Sequence, residues 1–162
     1  MKIILNKCFG GFGFSPKVYV EYAKRKGIDL FVYDEKHSNK SMFDYETTYF
    51  KVPLEQITFD NYAFASVNVN NRLFMPHFCT MDLGDSFSNK DKQKYNALNK
   101  HSLYLNEHYR TDEVLISIVE DLGSEANGKF ADLKIVEIPD DLDYVIDDYD
   151  GIETLHQNVP TW

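Results

Sequence analysis

A glycine-rich segment near the start of the chain, NKCFGGFGFS at residues 6–15, constrains the fold more than any other stretch. The apolar run Lys2–Leu5 before it is typical of a buried strand. After it, Ser15 as N-cap and Pro16 as first helical residue predict a helix that ends near Gly27. The run IDLFVY then predicts a second strand. This order of elements predicts an N-terminal β-α-β unit with a right-handed parallel crossover.

The glycine-rich segment itself has two interpretations. Successive backbone N–H groups at a helix N-terminus favour an anion, and the phenylalanine rings could stack on a base. A dinucleotide-binding fingerprint is excluded because Pro16 stands where its third glycine belongs, and the Gly-Lys-Ser/Thr of a phosphate-binding P-loop is absent. We favour the second interpretation, a tight corner whose glycines adopt positive φ and whose phenylalanines enter the core.

Arg110 stands just before a strongly predicted helix, TDEVLISIVEDL at residues 111–122, for which Thr111 is the expected cap. An arginine at a helix start opposes the helix dipole, which suggests that it holds a carboxylate or a phosphate. An exposed side chain is the plainer alternative. If a ligand site exists, its candidate residues are Gly10, Gly11, Phe12, Gly13, Phe14, Ser15 and Arg110.

The net charge of −9 is unevenly distributed along the chain. Residues 112–162 contain 14 acidic and two basic residues, whereas residues 1–111 contain 12 acidic and 15 basic ones. An acidic C-terminal third disfavours direct binding to nucleic-acid phosphates and favours a basic protein partner or simple solubility. No apolar run approaches the length of about 18 residues that a membrane span requires.

The remaining patterns predict one α+β domain over residues 1–162, with a mixed sheet, a second packed helix and a C-terminal β-hairpin around Asp150-Gly151. Strands are predicted at residues 47–52 and 133–138, and the polar residues 34–42 are expected to be a loop. A further hairpin is proposed for residues 61–74. The lysine-rich residues 86–102 predict a weak helix or a mobile surface segment, so residues 84–103 are treated as a candidate mobile insertion.

The acidic run EIPDDLDYVIDDYDG invites a metal, but its spacing fails the EF-hand pattern. Two alternatives remain open: a solvated hairpin whose acids protect a sheet edge, or an acidic docking surface for a basic partner. The candidate partner-binding residues are Asp140, Asp141, Asp147, Asp148, Asp150 and Glu153.

The five histidines and two cysteines show no zinc-ligand spacing, and no nucleophile elbow is present. His77 and Cys79 share one face of a short predicted strand and could form a thiol–imidazole pair, although burial is the favoured interpretation. The sequence therefore favours a protein that is not an enzyme, with no cofactor and no metal.

Three stretches together resemble a group of small, largely uncharacterised proteins of tailed bacteriophages and prophages: KIILNKCFGGFGFS, RTDEVLISIVEDLGSEANGKFADLKIVEIPDD and YDGIETLHQ…W. The resemblance covers roughly the first 30 and last 55 residues. It departs from the group at Glu113, where similar proteins often have proline. It implies a viral origin more than an activity.

These observations predict a non-enzymatic bacteriophage accessory protein of the host cytoplasm. It would bind and block a host factor, such as an antiviral defence component, through its acidic C-terminal third. The expected partner is a host protein with a basic surface. The alternatives are sequestration of a nucleotide-like signal at the glycine-rich segment, a metal-dependent enzyme acting on nucleotides or nucleic acid, and a virion or assembly component. An oligomer is left open.

Overall fold

The computed structural model describes residues 1–41, 44–57 and 76–158 of the chain. Within them lie three α-helices, α1 (Pro16–Lys26), α2 (Lys92–Lys100) and α3 (Glu113–Leu122). The strands of the same residues are β1 (Lys2–Asn6), β2 (Phe31–Ser41), β3 (Asp44–Val52), β4 (His77–Cys79), β5 (Ser86–Ser88), β6 (Leu133–Glu137), β7 (Tyr144–Tyr149) and β8 (Ile152–Gln157). The α+β class, the N-terminal strand–helix order and the C-terminal hairpin are confirmed.

The contacts of the described residues divide between two compact units. Unit 1 combines Met1–Val18 with the chain from Leu105 onward, and unit 2 is Tyr19–Tyr104. Unit 1 is therefore built from both ends of the chain, and the division falls within α1. The organisation of residues 1–162 as one domain stays a prediction.

The centre of unit 1 is the antiparallel pair β1–β6, in which Lys2 faces Glu137 and Asn6 faces Leu133. Alternate residues Ile3 and Leu5 point to one face, where they join a core cluster with apolar residues of the β7–β8 hairpin, among them Tyr144, Ile146 and Leu155. Helix α3 contacts both strands and buries an apolar stripe of Leu115, Ile116, Ile118 and Val119.

The parallel crossover expected from the β-α-β order is wrong. β1 pairs antiparallel with β6, while β2 pairs antiparallel with β3 and β4, so the described sheets contain no parallel pair. The reason lies in β2, which continues through the polar residues expected to form a loop. No glycine or proline interrupts Phe31–Ser41, and its backbone groups pair with β3, the next strand of the chain.

Unit 2 contains a four-stranded sheet in the order β4-β2-β3-β5. Its core cluster consists of Tyr33, Tyr49, Cys79, Leu83, Phe87 and Leu98. Helix α2 lies within the candidate mobile insertion 84–103 and contributes the buried Leu98, while Asp91 caps it by accepting a hydrogen bond from the Lys94 N–H. Of the two alternatives for residues 86–102, the helix is therefore confirmed, and the mobility stays a prediction.

The cap of α3 is Asp112 rather than Thr111, because the Asp112 carboxylate accepts hydrogen bonds from the N–H groups of Val114 and Leu115 at 2.9 and 3.0 Å.

The hairpin predicted at residues 61–74 lies outside the described residues. No helix in the described ranges is long and apolar enough to cross a membrane.

Candidate functional site

The outer edge of β1, opposite β6, places Arg110 and Glu153 together in unit 1. The Ile4 N–H donates to the Arg110 carbonyl at 2.9 Å, and the Asn6 N–H donates to the Glu153 carboxylate at 2.7 Å. These two N–H groups are two residues apart and so face the same edge. The free N–H groups of an unpaired strand edge can pair with a further strand. At this edge of β1, one carbonyl and one carboxylate accept hydrogen bonds from the two N–H groups instead.

The side chains of Arg110 and Glu153 form a bidentate ion pair. Nη2 donates to Oε1 at 2.8 Å and Nη1 donates to Oε2 at 3.2 Å, with the side chains only 13% and 4% exposed. The Arg110 Nε also donates to the Glu107 carbonyl, and the guanidinium lies 5.1 Å from the centroid of the Phe12 ring. Arg110 therefore holds a carboxylate, as the sequence allowed, and that carboxylate belongs to the protein itself.

Asn6 links the glycine-rich segment to the C-terminal hairpin, and sequence reasoning missed it. Its side chain is fully buried and donates to the carbonyls of Cys8 and Gly151 at 2.8 and 2.6 Å. Its side-chain oxygen accepts from the Asp132 N–H at 2.8 Å. The available signal was its place directly after the apolar run Lys2–Leu5, at the end of β1, where a buried polar residue must find several partners.

The glycine-rich segment packs as a tight corner against two other turns. Gly10 and Gly11 have φ of +118° and +107°, and the Gly10 N–H donates to the Asp150 carbonyl at 3.2 Å. A Cβ added at Gly151 would lie 2.3 Å from the Gly11 nitrogen, so the hairpin turn touches the segment backbone directly. This packing supports the interpretation as a corner.

The phenylalanines of the segment have different environments. Phe14 is buried and packs edge-to-face on Phe12 at a centroid distance of 5.1 Å, whereas Phe9 is 62% exposed. Phe12 lies between Phe14 and Arg110. Two of the three rings therefore stabilise the unit from within, and Phe9 remains at its surface.

The start of α1 is covered by the chain that follows α3. The Ser15 N–H donates to the Ala126 carbonyl at 2.9 Å, and the Ser15 hydroxyl donates to the Glu125 carbonyl at 2.6 Å. The Lys17 ammonium contacts the Glu125 carboxylate. In addition, the Gly128 N–H donates to the Gly13 carbonyl at 3.0 Å. The Ser15 backbone amide and hydroxyl are therefore used within the unit.

Phe12 and Arg110 line one cleft of about 500 Å³ with Glu107, His108, Ile146, Asp148 and Glu153. The glycine-rich segment and Arg110 are thus brought together as candidate site residues. The charge of the cleft is unlike that of a phosphate site, because three carboxylates line it and the guanidinium is already paired with one of them. Of the other candidate ligand residues, Phe14 and Ser15 are buried away from its lining.

The candidate partner-binding residues fall into two environments. Five of them are exposed: Asp140, Asp141, Asp147, Asp148 and Asp150. The prediction of Glu153 as a partner-binding residue is wrong, because this residue is only 3% exposed and its carboxylate is paired with Arg110. It belongs to the interior of unit 1 rather than to the acidic surface.

Local contacts position the exposed carboxylates. The amino group of Met1 contacts Asp140 and lowers the pKa of that carboxyl below its usual value. Asp147 lies 3.4 Å from His156 Nε2, and Asp148 accepts a hydrogen bond from the Gly151 N–H at 3.0 Å. As neighbours in a strand, Asp147 and Asp148 point to opposite faces of the hairpin. Across the described part of the chain, no three His, Cys, Asp or Glu side chains form a group that could hold a metal.

His77 and Cys79 have different surroundings in unit 2. Cys79 is fully buried in the core cluster, and burial raises the pKa of its thiol. His77 instead places Nε2 3.0 Å from the Glu35 carboxylate, whose other oxygen lies 3.2 Å from His37 Nε2. Burial of the thiol is therefore confirmed.

Comparison with known proteins finds no family model that matches the chain, and no curated protein or solved structure that matches it.

Proposed function

We propose that this protein is a non-enzymatic bacteriophage accessory protein that binds a basic host protein and blocks it. The observation that carries the proposal is the exposed surface of the β7–β8 hairpin. Asp147, Asp148 and Asp150 are exposed there, each within two residues of Tyr149, whose side chain is 79% exposed. Carboxylates around an exposed tyrosine match the polar rim and aromatic anchor of protein interfaces.

The rigid attachment of the hairpin supports a binding role. Three contacts fix the hairpin to β1 and the glycine-rich segment. They are the hydrogen bond from Asn6 to Gly151, the Arg110–Glu153 ion pair and the close approach of Gly151 to Gly11. A surface that is already ordered loses less conformational entropy on binding. The internal contacts thus hold the hairpin in place, while its exposed side chains remain accessible to a partner.

The origin and location of the protein rest on the sequence resemblance. Because the motifs resemble small proteins of tailed bacteriophages, we place its action in the host cytoplasm and its target among host factors, including components of antiviral defence. A net charge of −9 favours fast, salt-dependent association with a basic target.

The packing favours this proposal over sequestration of a nucleotide-like signal. A nucleotide phosphate calls for an available cation, and the Arg110 fork is occupied by Glu153. A metal-dependent enzyme likewise calls for converging carboxylates, whereas Asp147 and Asp148 point to opposite faces.

The test compares the native protein with Asp147→Asn/Asp148→Asn/Asp150→Asn. Asparagine keeps the side-chain oxygen that bonds the Gly151 N–H and tolerates the positive φ of Asp150, so the hairpin should fold. Both proteins are immobilised, exposed to a bacterial lysate at physiological salt and analysed by mass spectrometry. A basic protein retained by the native chain alone supports the proposal, and its activity is then assayed with and without the phage protein. Equal retention by both chains, or undiminished target activity, contradicts it.

A further inference from the structure

Three turns of unit 1 meet around Gly10, and each carries one exposed aromatic side chain. A Cβ added at Gly10 would lie 2.6 Å from the Cβ of Phe130, and the Gly10 N–H bonds the Asp150 carbonyl. Phe9 precedes Gly10 and Tyr149 precedes Asp150. Since consecutive Cα atoms are about 3.8 Å apart, the backbones of Phe9, Phe130 and Tyr149 are neighbours. We call these three residues the aromatic junction.

The aromatic junction is unusually open to solvent. Its exposed fractions are 62% for Phe9, 60% for Phe130 and 79% for Tyr149, the highest of the large hydrophobic residues in the described part of unit 1. Single exposed apolar residues are ordinary on protein surfaces, but neighbouring ones mark interaction sites. The three exposed rings belong to turns that meet around Gly10, so they have the character of an interaction site.

The exposed carboxylates near Tyr149 favour a cationic partner. Asp147 lies two residues before Tyr149 and therefore on the same face of β7, Asp150 directly follows Tyr149, and all three are exposed. Aromatic faces attract cations, and carboxylates pair with them. A guanidinium meets both demands at once because it is planar, stacks on rings and forms bidentate bonds, whereas a lysine ammonium acts as a strongly hydrated point charge.

The protein uses the same combination internally. Arg110 lies over the Phe12 ring and forms its two hydrogen bonds with Glu153. At the junction itself, the Lys129 ammonium lies 4.7 Å from the Phe130 centroid, so this ring already receives a cation. A partner arginine can take the place of this exposed lysine.

We propose that the aromatic junction is the centre of the partner-binding surface and selects a host protein segment that presents arginine side chains. The inference rests on the proposed function, because it invokes the same exposed carboxylates of the hairpin beside Tyr149. It adds that recognition depends on arginine rather than on positive charge alone.

The experiment uses hexa-arginine and hexa-lysine peptides as probes, which have equal charge. Calorimetry at physiological salt measures the affinity of each for four full-length proteins. These are the native chain, the ring variant Phe9→Ala/Phe130→Ala/Tyr149→Ala, the carboxamide variant Asp147→Asn/Asp148→Asn/Asp150→Asn, and the control Tyr104→Ala, which removes a 69% exposed tyrosine of unit 2. Thermal unfolding verifies that every variant is folded.

We expect the native chain and the Tyr104→Ala control to bind hexa-arginine at least about threefold more tightly than hexa-lysine. The ring variant should bind both peptides equally, and the carboxamide variant should bind both more weakly. The inference is wrong if the native chain shows no preference for hexa-arginine, or if the ring variant keeps that preference unchanged. If the carboxamide variant still loses affinity in either case, the proposed function stands and only the inference is overturned. Peptide affinities equal between native and carboxamide proteins overturn the proposed function, and absence of binding overturns both.

Discussion

Arg110 and Glu153 are 43 residues apart in the sequence and meet in a bidentate ion pair at the outer edge of β1. The same two residues satisfy the backbone N–H groups of Ile4 and Asn6. One pair of charges therefore joins the segment before α3, the C-terminal hairpin and the N-terminal strand. The pair also neutralises the arginine that the sequence offered as a ligand-binding residue.

Removal of Arg110 should be strongly destabilising, because it leaves the Glu153 carboxylate buried without a counter-charge. For Arg110→Met we expect a loss of about 3–5 kcal/mol in the free energy of unfolding, measured by urea denaturation. The double variant Arg110→Met/Glu153→Gln should lose less than the single variant, since no charge is left buried and the glutamine oxygen can still accept from the Asn6 N–H.

A matched control for this experiment is Lys134→Met. Lys134 pairs with Asp132 at 3.0 Å, but its side chain is 59% exposed. We expect a change within about 1 kcal/mol there. Equal losses at Lys134 and Arg110, or a double variant no more stable than Arg110→Met, would contradict the assigned role of the buried pair.

Replacement of Gly151 by alanine should separate the hairpin turn from the glycine-rich segment. Gly151 has φ of +91°, and an added Cβ would lie 2.3 Å from the Gly11 nitrogen and 2.7 Å from the Gly10 nitrogen. Backbone strain and the clash together predict a loss of about 2–5 kcal/mol in thermal or urea unfolding.

The control Gly27→Ala shares the positive φ, at +65°, but nothing lies within 4 Å of its added Cβ. It should therefore cost only the conformational strain, about 1–2 kcal/mol. Equal destabilisation by Gly27→Ala and Gly151→Ala would show that the close contact between the two turns adds nothing to the strain of a positive φ.

The raised pKa of Tyr33 should lower the free energy of unfolding at alkaline pH. Burial, the largest cause, raises the pKa of its phenol to about 12, and its hydroxyl accepts a hydrogen bond from the Leu83 N–H at 2.7 Å. The folded state therefore keeps its proton where the unfolded tyrosine, with a pKa of 10.0, releases it. Its contribution is complete below pH 10 and declines from about pH 10 to 12.

This dependence is measured by urea unfolding at several alkaline pH values. In Tyr33→Phe the decline between pH 10 and 12 should be shallower, and the overall stability lower by about 1–3 kcal/mol because the Leu83 N–H loses its acceptor. Identical pH profiles for native and variant proteins would show that Tyr33 is not the group concerned.

The two cysteines should differ in reactivity towards a disulfide reagent such as DTNB. Cys79 is fully buried with a raised thiol pKa, whereas Cys8 is partly exposed and donates to the Phe130 carbonyl. In Cys8→Ser we expect the remaining thiol to react at least about a thousandfold more slowly than free cysteine, because it must wait for unfolding. Rapid modification of Cys79 in the folded protein contradicts its placement in the core.

The sequence predicted the elements whose formation depends mainly on residues close to one another in the chain, such as the C-terminal hairpin and α3. The Asp-Gly pair predicted the hairpin because both turn residues need positive φ, and Asp150 and Gly151 have φ of +54° and +91°. The apolar periodicity of residues 111–122 predicted α3. Its cap moved by one residue, to Asp112, because aspartate competes well with threonine for this position.

Features that depend on distant residues could not be predicted in this way. The run Lys2–Leu5 is compatible with parallel or antiparallel pairing, and its partner β6 lies near the other end of the chain. Glu153 was grouped with its acidic neighbours, although its burial depends on Arg110. β2 extended through polar residues because backbone pairing with β3 does not require apolar side chains.

The pairing of β1 with β6 also has a consequence during synthesis of the protein. After Lys2 has been added to the growing chain, 134 further residues are added before its partner Glu137. At typical elongation rates this delay is on the order of ten seconds. Unit 2 is one continuous stretch whose strands can pair during the delay, whereas the apolar strand β1 lacks its partner β6 until the delay ends and is available to a chaperone in the meantime.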